Sequence, residues 1–128
     1  MAHFILEYSA NLDSEKLDID SLFEKLHRAA VKTTLFPLAG IRSRAHRCEH
    51  FRIADGDPRH GFVHLQVKLG AGRSDDEKHS AAEAFFMVLG EHLNSLYQLQ
   101  GLAISFEMTE LPTILKYNKN NLRDYLPA

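Results

Sequence analysis

The chain has 128 residues, 45% of them hydrophobic and 25% charged, with a formal net charge of −2. That is the length of one domain with a single core, and no basic block interleaved with aromatics marks a nucleic-acid surface. No apolar run is long enough to span a bilayer, Met1-Ala2-His3-Phe4-Ile5-Leu6-Glu7 does not read as a signal peptide, and Cys48 stands alone, so the expectation is a cytoplasmic protein without an intrachain disulfide.

Residues His3 to Ser9 alternate, with Phe4 and Leu6 on one side and Ile5 and Glu7 on the other, which predicts a strand at the start of the chain. A polar loop, Ala10 to Leu17, leads to a helix beginning around Asp18 to Ser21. There Ser21 precedes Glu24 by three residues, at capping-box spacing, and Leu22, Phe23, Leu26, Ala29, Ala30 and Thr33 keep a helical period. Phe36-Pro37-Leu38-Ala39-Gly40 breaks the helix. Ile41, Ser43 and Ala45 then alternate with Arg42, Arg44 and His46 as a second strand. Between Arg47 and His60, the apolar piece Phe51 to Ala54 and the turn signal Asp55-Gly56-Asp57-Pro58 predict a small hairpin-like excursion.

The second half opens with the clearest strand, in which Val63, Leu65, Val67 and Leu69 alternate with His64, Gln66 and Lys68. Gly70 and Gly72 end it, read as positive-φ turn positions. Ser74 and Glu77 form a capping-box pair, and Ala82, Phe85, Phe86, Leu89, Leu93 and Leu96 follow as an apolar helical stripe. Leu102 to Met108 is read as a final central strand. The tail is read as an extended piece, Thr113 to Tyr117, and a short helix from Asn120 to Leu126.

This order is strand–helix–strand twice, in halves of about residues 1–60 and 61–128 of one domain. The helix in each half acts as a crossover, so its two strands run parallel. The expected fold class is α+β: a four-stranded sheet with two helices on one face. The other face reads as too apolar for water, which predicts oligomerisation.

Eight histidines and Cys48 raise the question of a metal. His46, Cys48 and His50 alternate in extended chain, with His60 and His64 further on, but neither a His-Glu-x-x-His helix nor a Cys-x-x-Cys pair is present; no metal is expected. Ser74 is explained as a cap rather than a nucleophile, and Gly70-Ala71-Gly72 is only half of a dinucleotide fingerprint. The arginines remain. Arg73 sits at a helix start, where it either pairs with Asp75, Asp76 or Glu77 or joins the free backbone N–H groups as an anion site. Arg42 opens the second strand, and two guanidinium forks at such positions suit a dicarboxylate.

Pro37-Leu38-Ala39-Gly40-Ile41-Arg42-Ser43-Arg44, Ala54-Asp55-Gly56, Phe62-Val63-His64, Gly70-Ala71-Gly72-Arg73-Ser74, Ser105-Phe106-Glu107 and Leu115-Lys116-Tyr117-Asn118-Lys119-Asn120-Asn121 closely resemble the 5-carboxymethyl-2-hydroxymuconate isomerases of the tautomerase superfamily. The likeness spans nearly the whole chain. It implies a β-α-β repeat fold assembled as a homotrimer, and a cofactor-free isomerase in homoprotocatechuate catabolism acting on a small unsaturated carboxylate. It further implies that an N-terminal proline, exposed by loss of the initiator methionine, is the general base, and that Arg42 and Arg73 hold carboxylates and polarise the enol.

At the proline position this chain has Ala2. With Met1 removed, Ala2 supplies a primary amine of ordinary pKa about 7.7 to 8.0, which burial and two arginines lower towards neutrality. With Met1 attached, Ala2 supplies only an amide nitrogen. The alternative to an active isomerase is a catalytically silent carboxylate-binding or structural trimer of the same fold.

Overall fold

The computed structural model describes residues 1–127. Strands β1 (Ala2–Ser9), β2 (Ile41–Cys48), β3 (Gly61–Leu69) and β4 (Leu102–Glu110) form one sheet in the order β2-β1-β3-β4. β1 pairs parallel with β2, β3 pairs parallel with β4, and the two central strands, β1 and β3, meet antiparallel. The helices are α1 (Ser14–Leu17), α2 (Ile19–Lys32), α3 (Asp75–His92) and α4 (Asn94–Leu99). This is the expected α+β arrangement, with α2 and α3 as the crossovers. β4 is corrected from a central strand to an edge, and it leaves one ladder of backbone groups open, as β2 does on the other side.

The alternation along β1 and β3 builds the core directly. Phe4, Leu6, Val63, Leu65, Val67 and Leu69 are all fully buried against Leu22, Leu26 and Ala30 of α2 and Ala81, Phe85 and Leu89 of α3. Phe4 and Phe85 meet edge to face with ring centroids 5.0 Å apart, the arrangement that the ring quadrupoles favour. Phe86 departs from the expected stripe. It lies off the core face and is 47% exposed, while Ala81 rather than Ala82 is buried. The reason is phase: Ala81, Phe85 and Leu89 repeat every four residues, and Phe86 sits about 100° round from Phe85.

The caps follow elementary rules, once at a different residue from the one expected. Ser74 Oγ accepts from the Glu77 N–H while Glu77 Oε1 accepts from the Ser74 N–H, the reciprocal box read from the sequence. The cap of α2 is Asp18, whose carboxylate accepts from the Ser21 N–H at 3.3 Å; Ser21 therefore sits inside the helix and makes no capping box with Glu24. The Ala10 to Leu17 loop contains α1, started by Asp13 accepting from the Glu15 and Lys16 N–H groups.

Other expectations are corrected by the backbone. Residues 51–60 form turns, not a hairpin: the Asp55 and Asp57 carboxylates accept from the Asp57 and Arg59 N–H groups and supply a local alternative to a ladder. Residues 113–117 form no strand, and the short tail helix is a single tight turn, Leu122–Tyr125. Of the two glycines after β3 only Gly72 has positive φ, at +112°. The sheet face opposite the helices is also more polar than expected: it presents His3, Glu7, Arg42, Arg44, His46, His64, Gln66, Lys68, Ser105 and Glu107.

Candidate active site

The start of β1 is held between two loops. The Met1 carbonyl accepts from the Gly70 N–H at 3.2 Å, and Ala2 pairs with Ile41 on one side and Leu69 on the other. Gly40, closing the tight turn Leu38–Gly40, lets the chain end come close: a Cβ there would meet Met1 Cα at 3.3 Å. The parallel register then puts Arg42 beside His3. From the other side the tail folds back, turning at Leu115 in the left-handed region (φ 56°), and is pinned by Asn120 Nδ2 donating to the Ala39 carbonyl at 2.8 Å. Met1, Arg42 and the chain from Tyr117 to Leu122 line a half-open cavity of about 440 Å³. No acidic side chain is in its wall.

The electrostatics at this end favour a neutral amine. The Met1 amino group is held below its ordinary pKa by burial first, and then by the positive charges of Arg73, Lys116 and Arg42. His3 is likewise pushed down by burial and by Arg42, Arg44 and Lys68. Its two ring nitrogens lie 3.4 Å from Arg42 Nη1 and 3.2 Å from Arg44 Nη1. A neutral imidazole has one acceptor lone pair, so it satisfies only one of these guanidiniums. Arg42 has a second weak partner, the Met1 thioether at 3.5 Å. Its fork therefore lacks a strong acceptor.

Arg73 is engaged differently. Nη1 donates to the Gly70 carbonyl at 2.7 Å and Nη2 to the Leu35 carbonyl at 2.6 Å, while the guanidinium lies over the Phe36 ring at 4.8 Å. Nε is buried without a partner. Arg73 thus ties the glycine turn after β3 to the chain after α2, and its charge acts on the Met1 amine although it is not part of the cavity wall. Neither reading of Arg73 is what its hydrogen bonds show: it bonds no acid of α3, and both terminal nitrogens are spent on backbone carbonyls rather than left open to an anion. The structure brings Arg42 to the cavity and leaves Arg73 out of its wall, within electrostatic reach of the Met1 amine, while Ala2, with Met1 attached, is a fully buried core residue whose nitrogen is an amide. Reading from sequence passed over His3, Lys116 and the strap of residues 117–122 as parts of this site. The usable signals were the position of His3 next to Ala2 and the run Asn118-Lys119-Asn120-Asn121, too polar for a packed strand.

The remaining histidines are dispersed: His60 bonds Asp55 at 2.9 Å, His64 bonds Ser105 and Glu107, and His27 bonds Ser43. Among the described residues no three metal-ligating side chains gather, and no helix is long and apolar enough to cross a membrane.

A mixed sheet of this order, with two crossover helices on one face and a basic site around the first residues, is the tautomerase-superfamily fold. At the level of fold alone it matches a structure described as a fused 4-OT wild type symmetric trimer, with TM-score 0.62 and 17% identity over 86% of this chain and 85% of that one. The likeness is much closer to a 5-carboxymethyl-2-hydroxymuconate isomerase from Deinococcus radiodurans R1. That crystal structure superimposes with TM-score 0.91 at 35% identity, covering 98% of this chain and 95% of the other. The 5-carboxymethyl-2-hydroxymuconate Delta-isomerase of Escherichia coli is 40% identical over 122 residues, 95% of this chain and 96% of its own. The model of the 5-carboxymethyl-2-hydroxymuconate isomerase family matches residues 2–126, and this chain belongs to that family.

Proposed function

We propose that the protein is a cofactor-free isomerase of 5-carboxymethyl-2-hydroxymuconate-type carboxylates, working as a cytoplasmic homotrimer in the breakdown of hydroxylated phenylacetates such as homoprotocatechuate. The observation that carries the reading is that the chain end at the head of β1, with the Met1 amine held below its ordinary pKa by burial, Arg73, Lys116 and Arg42, lies on a cavity walled by Arg42 and free of acids. The reaction needs nothing more. The amine takes the proton of the substrate's 2-hydroxyl, the electrons shift through the conjugated diene, and the ammonium returns the proton to a chain carbon, leaving a 2-oxo-enoate. Arg42 holds a carboxylate with its fork, and the charge of Arg73 favours the enolate as it forms.

The working amine in this reading is that of Ala2. Loss of Met1 moves the amine one residue along, to Ala2, which is fully buried while Met1 covers it. It also removes the thioether from Arg42 and leaves the Gly70 N–H without its acceptor, a donor facing the site. Two open sheet edges, exposed Phe86 and Met87 on α3 and the symmetric trimer among the fold neighbours support assembly.

A second reading, a silent carboxylate-binding trimer, is favoured by one observation: alanine stands where the resemblance implies the catalytic proline. One experiment separates the two. The enol-to-ketone conversion is followed by ultraviolet absorbance for the native protein, a form that keeps Met1 and Ala2→Pro without Met1. The isomerase reading expects the Met1 form to be slower by roughly 10²-fold or more and Ala2→Pro to be faster than native, because a ring holds the nitrogen in one geometry. Equal and negligible turnover in native and Met1 forms would leave the binding reading.

A further inference from the structure

We propose that the strap of residues 117–122 is a recognition wall that selects substrates carrying a third carboxyl group, with Lys119 as its charged contact. This rests on the carboxylate reading of the cavity above. Lys119 and Arg42 are the two cationic side chains in the wall. Arg73 cannot share the load with a free fork, since both of its terminal nitrogens already donate to backbone carbonyls. A 5-carboxymethyl-2-hydroxymuconate-type compound brings three carboxylates, and one guanidinium fork binds one carboxylate well.

The strap is built to present donors. Asn120 is spent on holding it, with Nδ2 on the Ala39 carbonyl and Oδ1 accepting from the Leu122 N–H, both at 2.8 Å. Tyr117, Asn118, Lys119 and Asn121 line the cavity, and none of their side chains has a hydrogen-bond partner among the described residues. An ammonium, a phenol and two amides, all on exposed residues, thus belong to the same almost wholly polar wall as Arg42, a donor set matched to carboxylate oxygens.

The test is calorimetric binding of glutarate, with two carboxylates, and tricarballylate, with three, to the native protein, Lys119→Gln, Lys119→Arg and Asn120→Ala. The native protein should favour tricarballylate. Lys119→Gln should lower its affinity for tricarballylate about tenfold and for glutarate less than about twofold, the loss expected for one partly exposed charge-assisted contact. Lys119→Arg should restore the preference. Asn120→Ala, which releases the strap, should abolish it. Equal weakening of both acids by Lys119→Gln, or an unchanged preference, overturns the proposal. Turnover separates this proposal from the isomerase reading. Lys119→Gln should raise KM for the hydroxymuconate with kcat unchanged, and an active enzyme whose KM does not move overturns the strap alone. A protein that discriminates between the two acids yet turns over nothing overturns the isomerase and leaves the strap standing.

Discussion

Replacing Arg73 with alanine tests whether this residue is a brace as well as a charge. The substitution removes two charge-assisted bonds, to the Gly70 and Leu35 carbonyls at 2.7 and 2.6 Å, and the stack on Phe36. Hydrogen bonds to a charged group contribute about 1.5–3 kcal/mol each, and a cation over an aromatic face adds ~0.5–1 kcal/mol. Against this, the buried, unpartnered Nε already costs about 1–2 kcal/mol, and its loss offsets part of the damage. The net destabilisation is roughly 3 kcal/mol. With an unfolding entropy of about 2.1 cal/mol/K per residue, this chain should lose on the order of 10 °C in Tm, measured at one protein concentration because assembly shifts the midpoint. Arg73→Lys divides the two roles. It keeps the positive charge but cannot span two carbonyls with a planar fork, so it should lose much of the stability while leaving the amine depressed. A midpoint for Arg73→Ala within about 1 °C of native would refute the bracing argument.

Arg42→Ala should behave in the opposite way. Its partners are a thioether at 3.5 Å and an imidazole nitrogen at 3.4 Å, so Tm should move by less than about 2 °C while glutarate affinity measured by calorimetry falls about tenfold or more. His27, half-buried beside Phe4 with its ring 2.6 Å from Ser43 Oγ, has its pKa lowered by burial. The folded state therefore resists protonating it. Its contribution is present above the ordinary histidine value near 6.5 and is lost as pH falls through the lower folded value, so denaturant stability should drop below about pH 6.5. His27→Gln should flatten that slope, leaving the part due to His3, and an unchanged slope would remove His27 from the account.

The strands and main helices were legible because their periods are physical: a buried face repeats every second residue in β1 and β3 and about every fourth in α2 and α3. Choices among equivalent local chemistries were not. Asp18 and Ser21 are both good cap residues, and which one serves depends on where Leu22 and Leu26 must land against β1. Phe51 to Ala54 carries strand-like residues, but the Asp55 and Asp57 carboxylates bind backbone N–H groups and hold turns instead. The polar outer face was partly visible in His64, Gln66 and Lys68. It was underestimated because the register that sets Arg42 beside His3 and His64 beside Ser105 is a long-range fact. The same holds at the site. Arg42 and Arg73 were picked out by motif, but the Leu35 carbonyl that holds Arg73 is 38 positions away. The strap is tied beside Met1 by Asn120 and Ala39, 81 positions apart.

The charges around the amine also set how the site should respond to its own substrate. In the empty site, burial first and then Arg73, Lys116 and Arg42 oppose protonation of the Met1 amine and hold its pKa below the ordinary value. A bound polycarboxylate neutralises part of that field and raises the proton affinity of the same nitrogen. In the proposed chemistry the amine then retains the proton once the enolate has formed and gives it up to carbon. Linkage requires the converse, that a protonated amine binds carboxylates more tightly than a neutral one. Under the proposed chemistry the ascending limb of kcat/KM, which reports the free enzyme, should therefore fall at lower pH than the ascending limb of kcat, which reports the complex. Removing a charge outside the wall shrinks the effect at its source: Arg73→Ala should move the kcat/KM limb upward, and more than it moves the kcat limb, whose field the substrate has already reduced. Limbs that coincide in the native protein, or that shift together in the variant, would mean that the cations around the amine do not set its proton affinity.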